Sequence, residues 1–230
     1  GEARARAATV KQAMARPRPA SGRGGWRKGA GRKPAGAQAG QPHGVRPFLD
    51  PRYPVHVTLR LTAEVGRLRR RSAYQAFRRA LLTTLARGDF RVVHISIQAH
   101  HVHLLCEADD RLALARGVRG LSISAARRLN VAIGEDQRTR ARRGRVFTDR
   151  YHARFITSAK QCRSELAYVL NNWRRHREDM AGAAQRRARI DPYSSAIGFS
   201  GWAGRDGVPF AWPRESEPLP VGYAAPWLLQ

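Results

Sequence analysis

The stretch Phe90-Arg91-Val92-Val93-His94-Ile95-Ser96-Ile97-Gln98-Ala99-His100-His101-Val102-His103-Leu104-Leu105-Cys106-Glu107 decides the fold. Its first nine residues are rich in β-branched and apolar side chains, as a strand requires. From His101 onward the chain alternates, sending Val102, Leu104 and Cys106 to one face and His101 and His103 to the other. Only Ala99 and His100 lie between, too few for a crossover helix, so the two strands pair antiparallel as a hairpin. Two imidazoles then stand side by side, able to bind one divalent ion through nitrogen. A plainer reading fits as well, because the outer face of a strand needs polar residues. His94 on the neighbouring strand and His100 in the turn add to the concentration of histidine there.

Working outward, Val55, Val57 and Leu59 alternate with His56, Thr58 and Arg60, which makes a strand before the hairpin. Ser72 and Gln75 form a capping box for a helix whose apolar stripe is Tyr74, Phe77, Leu81 and Leu85 and which ends near Gly88. After the hairpin a second helix covers about Arg111–Asn130, with Leu114, Val118, Leu121, Ala125 and Leu129 on its buried side. Gly117 and Gly120 weaken its middle and suit the close approach of a neighbour. Arg145 to Phe155 reads as a fourth strand, interrupted at Thr148-Asp149. Ser158 and Gln161 are a second capping box, opening a helix that reaches about His176. The first six elements follow the split βαβ order of an α+β, ferredoxin-like domain: a four-stranded antiparallel sheet with two helices on one face. The seventh element, the helix from 158, is free to lie elsewhere.

The chain has 230 residues, and 43 Lys+Arg against 17 Asp+Glu leave a formal charge of +26. Such an imbalance repels itself unless a polyanion screens it, so phosphate backbones are the natural partner. Residues 1–49 read as a basic tail around Trp26, 50–180 as the folded domain, and 181–230 as a Gly/Pro/Ala-rich C-terminal wrap with isolated aromatics. Two cysteines, Cys106 and Cys162, exclude a disulfide scaffold and a four-cysteine zinc site and suit a reducing compartment. No apolar run approaches a membrane span and no signal peptide is visible. A cytoplasmic, nucleoid-associated protein is the expectation.

On the helix at 158–176, Cys162, Leu166, Val169 and Trp173 form one stripe at about 100° per residue. Tyr168 and Asn172 fall together on the opposite side, beside Glu165 and Arg175, and their i, i+4 relation stacks both over one spot. A phenol can be a phosphoryl-transfer nucleophile, and an Asn can offer a carbonyl oxygen to a metal. The structural alternative is an exposed helix tyrosine packed against the C-terminal tail.

Here the residues resemble a family. His100-His101-Val102-His103-Leu104-Leu105 after a hairpin is similar to the histidine-hydrophobic-histidine motif of the single-tyrosine HUH, or IS200-like, transposases. Tyr168-Val169-Leu170-Asn171-Asn172 resembles their nucleophile helix, where a Gln or Asn four residues after the tyrosine is a metal ligand. The REP-associated tyrosine transposase branch is the closer likeness. Its members read Tyr-Ile-x-Asn-Pro here, with Asn172 standing where they have Pro. Arg145 to His152 resembles the stretch before that helix, with Phe147 where a Trp is usual, and Asp191-Pro192-Tyr193-Ser194-Ser195 resembles a Pro-aromatic-Ser-Ser sequence that follows it. The likeness spans roughly residues 50–200.

The resemblance implies a nuclease and strand transferase acting on single-stranded DNA near hairpins, with Mg²⁺ or Mn²⁺ held by His101, His103 and Asn172. Tyr168 would be the nucleophile, leaving a 5′-phosphotyrosine and a free 3′-hydroxyl. Because a free phenol ionises only near 10, proton loss needs help from the metal, a base or a cation such as Arg175. Arg127, Arg128, Arg150, Arg154 and Arg175 are the expected DNA contacts, and a monomer is favoured over a homodimer. Tyr151, beside His152, is the competing tyrosine. Two other readings stand beside this one. The first is a non-catalytic arginine-rich nucleic-acid-binding protein; the second is a zinc protein using His101, His103, His152 and Cys162.

Overall fold

The structure is a computed structural model that describes residues 48–176, 189–202 and 217–224. The expected basic tail around Trp26 and most of the expected C-terminal wrap lie outside the described residues. Four strands, β1 (Val55–Arg60), β2 (Phe90–Ile97), β3 (His101–Ala108) and β4 (His152–Phe155), form one antiparallel sheet in the order β2-β3-β1-β4. Helices α1 (Arg71–Leu85) and α2 (Arg111–Asp136) follow β1 and β3, and α3 (Ala159–Arg175) follows β4. This is the ferredoxin-like α+β arrangement with a third helix added. No helix among the described residues is long and apolar enough to cross a membrane.

One face of the sheet is apolar because alternation puts Val55, Val57 and Leu59 of β1 beside Val102, Leu104 and Cys106 of β3. Phe77 and Leu81 of α1 and Leu114, Leu121 and Leu129 of α2 close over it, all buried. Burying each such side chain stabilises the fold by about 1.5–3 kcal/mol. On β2 the alternation would fail without an irregularity. The register shifts between Val92, opposite Cys106, and His94, opposite Leu105. This bulge lets Phe90, Val92, Ile95 and Ile97 all reach the helical core and turns His94 to the other face.

Three local expectations need correction. The helix α1 starts at Arg71 with Arg70 as its cap and no side-chain capping bond. Ser72 gives its hydroxyl to Asp136 instead, at 2.6 Å, beside an Arg70–Asp136 ion pair at 3.1 Å. The second helix runs past Asn130, because that side chain bonds Gly144 and Arg142 of the following loop rather than ending the helix. The fourth strand is short. Phe147 makes a single bridge to Leu61, the chain leaves the sheet at Thr148–Arg150, and regular pairing covers only His152–Phe155. The expected Ser158 cap forms, its side chain accepting from Gln161 N at 3.3 Å, while the Gln161 side chain reaches one residue past the cap and accepts from Thr157 N at 3.0 Å.

The described C-terminal segments cover the outer edge of β2. Ile97 N–H donates to Tyr193 O at 2.8 Å, Ile95 N–H to Ser195 Oγ at 3.0 Å, and Gly222 N–H to Val92 O at 2.8 Å. The first segment is anchored by a buried pair, Arg69 to Asp191 at 2.8 Å, with the guanidinium lying over the Tyr193 ring. The second is held by Tyr74, which donates to Glu217 O at 2.6 Å, and by buried Leu219.

Two of the three glycines of α2, Gly117 and Gly120, differ in purpose. At Gly117 a side chain would run into the ring of Phe90, so the helix approaches β2 only because no Cβ is there; at Gly120 nothing lies within 4 Å. Gly117→Ala should therefore destabilise the domain by roughly 1–3 kcal/mol through overpacking. Gly120→Ala should stabilise it by about 0.5–1 kcal/mol through helix propensity. Urea midpoints of the two variants against wild type check the contrast, and equal shifts would contradict it.

Candidate active site

The second face of the sheet is polar, and α3 lies across it. The pairing of β1 with β3 sets Thr58 opposite His103 and Arg60 opposite His101, while β4 brings His152 opposite Thr58 and Arg154 opposite His56. The stripe expected to be the buried one on α3 does pack: Cys162 and Val169 join Leu105 and Ile156 in a small apolar cluster. The polar side of that helix is not a solvent face. It closes over the histidine face of the sheet, so Glu165 and Asn172 are buried, at 7% and 2% exposure.

Between sheet and helix lies a cleft of about 730 Å³, lined by His56, Thr58, Arg60, His101, His103, His152, Arg154, Ser164, Glu165, Tyr168 and His176. The rings of His101 and His103 meet edge-on with centroids 4.6 Å apart, and the Tyr168 ring lies 5.2 Å from His103 and 5.8 Å from His56. A chain of short contacts runs through the floor. His103 Nδ1 is 2.9 Å from His56 Nε2, His56 Nδ1 is 2.7 Å from Glu165 Oε2, and Arg154 reaches Glu165 Oε1 at 2.8 Å.

Burial, reinforced by neighbouring His101, His56 and His176, pushes the His103 pKa down to about 2. Burial also lowers that of His56 and outweighs the raising effect of Glu165, so the contact between them is a neutral N–H donating to a carboxylate. A neutral imidazole is what a metal ligand must be. His103 Nε2 and both amide atoms of Asn172 are buried and have no hydrogen-bond partner among the described residues. Leaving such a group unpaired costs about 1–3 kcal/mol, and a divalent ion would give His103 Nε2 and Asn172 Oδ1 a partner. Among the described residues no group of three or more His, Cys, Asp or Glu could hold a metal ion. An ion placed here would have the two imidazole nitrogens plus amide or water oxygen as donors, a mixed set in which the oxygens suit Mg²⁺ or Mn²⁺.

The sequence profile described as "Transposase IS200 like" matches residues 52–172, more than half of the chain. The chain belongs to the IS200-like transposase family. A solved structure described as a REP-associated tyrosine transposase bound to a REP hairpin superposes with a TM-score of 0.52 at 16% identity, covering 80% of this chain and 99% of that one. At that identity the likeness speaks for the fold. A second structure, of a Deinococcus radiodurans R1 protein assigned as a transposase, gives a TM-score of 0.36 at 14% identity over 55% of this chain and 92% of that one, too low to carry an argument. No curated protein sequence matches significantly.

Within this family member the expected site residues separate into groups. Tyr168, His101 and His103 share the cleft, and Asn172 is buried one turn beyond Tyr168 without lining it. Of the expected DNA contacts only Arg154 lines the cleft, and it is engaged with Glu165. Arg127 and Arg128 line a different, smaller cleft with Arg79 on the outer side of α1 and α2, behind the sheet. Arg150 is exposed in the loop before β4, and Arg175 is exposed in the last turn of α3 while the next residue, His176, faces His101 at 5.6 Å. The zinc set does not assemble: Cys162 sits in the apolar cluster, where burial pushes its thiol up to about 11. Sequence reasoning missed His56 and the role of Glu165. The signal was present, since His56 shares the polar face of β1 with Thr58 and Arg60, but only the register to β3 shows which histidine it meets.

His94, the remaining member of the histidine-rich stretch, takes no part in the cleft. Its Nδ1 lies 3.2 Å from Ser195 Oγ and its ring packs on Phe199 at 5.6 Å. Burial depresses its pKa from 6.5 to about 4. The folded state then binds fewer protons than the unfolded chain between those values, so the contribution of His94 is full above pH 6.5 and falls as pH drops toward about 4. His94→Gln should show a smaller acid-induced loss of urea midpoint than wild type across that window; parallel curves would contradict it.

Proposed function

We propose that this IS200-like family member is a single-stranded DNA endonuclease and strand transferase of the REP-associated type, acting near DNA hairpins through a covalent tyrosine intermediate. The observation that carries the reading is the meeting of Tyr168 on α3 with His101 and His103 on β3 in one cleft. It is supported by the family match, by the net charge of +26, and by the hairpin named for the structurally similar REP-associated protein.

Mg²⁺ or Mn²⁺ would be held by His101, His103 and Asn172. When bound, such an ion neutralises charge on the non-bridging oxygens of the scissile phosphate. The rest of the chemistry belongs to the chain. Arg60, at the mouth of the cleft opposite His101, offers a guanidinium to a phosphodiester, and its planar fork suits bidentate contact with phosphate oxygens. Tyr168 Oη attacks phosphorus, the bond to the 3′ oxygen breaks, and that oxygen leaves as a hydroxyl after taking up a proton. The 5′ phosphate stays on the tyrosine as a diester, so attack by another 3′-hydroxyl reverses the step and joins strands without an external energy source. The closed packing of α3 on the sheet holds Tyr168 in place beforehand, which lowers the entropic part of the barrier.

Wild type, Tyr168→Phe, Tyr151→Phe and His101→Ala are to be incubated with Mn²⁺ and a hairpin oligonucleotide labelled on the 3′ side of the cut, then run on denaturing gels. Tyr168→Phe should bind the oligonucleotide and form neither nick nor adduct, since it removes one oxygen and little else. His101→Ala should lose cleavage on the order of 10²-fold or more, several kcal/mol of charge stabilisation, while salt-dependent DNA binding remains. An adduct that survives in Tyr168→Phe and vanishes in Tyr151→Phe would move the nucleophile. Binding with no adduct in wild type at any Mn²⁺ concentration would favour the non-catalytic DNA-binding reading.

A further inference from the structure

The chain of contacts beneath the histidine pair has only one consistent placement of protons once its end is fixed. Glu165 is a carboxylate pinned on one oxygen by Arg154 at 2.8 Å, and its other oxygen, 2.7 Å from His56 Nδ1, can only accept. His56 Nδ1 must therefore carry a hydrogen. In a neutral ring the opposite nitrogen, Nε2, then has a lone pair. That lone pair faces His103 Nδ1 at 2.9 Å, so His103 must donate from Nδ1, a role the Thr58 hydroxyl at 3.3 Å also accommodates. A neutral His103 with its hydrogen on Nδ1 has a bare Nε2, and Nε2 is the buried atom that no group among the described residues satisfies.

We infer that Glu165 is a positioning residue: acting through His56, it holds His103 in the single tautomer that presents a bare Nε2 to a metal ion. The inference rests on the metal-dependent reading of the cleft and adds to it a device that sits outside the ligands themselves. Without the carboxylate, His56 is free to carry its hydrogen on Nε2. His103 Nδ1 would then become the acceptor, and its Nε2 would carry a hydrogen and lose its lone pair. Arg154 sharpens the effect, because it claims whichever side-chain oxygen residue 165 provides. In Glu165→Gln the amide oxygen goes to Arg154 and the NH₂ group is left facing His56 Nδ1. That reverses every donor and acceptor down to His103 with almost no change in shape. Outer partners of this kind orient ligand histidines, and their loss typically costs about 10–100-fold in metal affinity.

The test reads the tautomer directly in metal-free protein, by nitrogen–proton correlation spectra of histidine-labelled samples at mildly alkaline pH, with His103→Gln assigning the ring. Mn²⁺ affinity is then followed by the loss of the free-ion paramagnetic resonance signal. Wild type should show His103 protonated on Nδ1. Glu165→Gln should shift that proton to Nε2 and weaken Mn²⁺ binding about 10–100-fold, and Glu165→Asp, which keeps an acceptor-only carboxylate, should restore most of both. His103 carrying its hydrogen on Nε2 in wild type would overturn the inference whatever the variants do. So would a Glu165→Gln protein that melts at lower temperature but keeps the wild-type tautomer and affinity, because that is a purely structural carboxylate. Mn²⁺ binding that is equal in wild type and His101→Ala would instead sink the metal reading of the cleft, while the tautomer comparison would still decide the relay.

Discussion

The register between β1 and β3, with Thr58 across from His103, is the constraint from which the rest follows. A strand pair has two faces, and a slip of one residue exchanges them. In the observed register, three residues of β1 and three of β3 turn toward α1 and α2 and supply the core, so the remaining side chains are committed to the opposite side. His56, Thr58, Arg60, His101 and His103 are gathered by that commitment alone. The hydrophobic drive that buries Val57 and Leu104 is thus also what aligns the histidines, and their positions are as firm as the core is.

Against this face α3 packs with two different surfaces. Cys162 and Val169 seat it on Leu105 and Ile156. Beside that apolar seat, Glu165, Tyr168 and Asn172 meet the histidines, and each meets them differently. Glu165 is fully engaged, Tyr168 keeps partial exposure in the cleft, and Asn172 is enclosed with an unanswered amide. A buried polar group without a partner is tolerated in folded proteins where function has a use for it. Here one such amide and one such imidazole nitrogen lie near a tyrosine on the same side of a sheet, in a chain of the IS200-like transposase family.

Much of this was readable before any coordinates, because periodicity reports directly on which face a side chain occupies. The hairpin, the αβ order and the split of Val102 from His101 and His103 come from spacing within elements and from the lengths of the connections between them. What could not be read is the pairing between elements. His56 was visible as a polar residue on β1, but nothing local says that it will stand 2.9 Å from His103. The hydrophilic side of α3 shows in the spacing, but the burial of Glu165 and Asn172 does not, because the histidines that receive them lie on other elements. Ser72 misled for a related reason: a hydroxyl suited to capping found a carboxylate from another helix. Among arginines so numerous, local sequence carries no information on which one lines the cleft, and one of the five expected contacts, Arg154, does so.

The covering of β2 by residues 191–197 and 217–222 bears on what counts as the smallest working piece of this molecule. The region that matches the family profile stops at residue 172, yet the strand that ends the sheet has its outward N–H and C=O groups answered by Tyr193, Ser195 and Gly222. A fragment cut to the profile would keep the cleft except for His176 and present a naked strand margin about eight residues long, rich in valine and isoleucine. Such a margin recruits other chains. For expression, crystallisation or fusion to a partner protein, the useful boundary is therefore set by strand protection, well beyond the last residue that touches the chemistry.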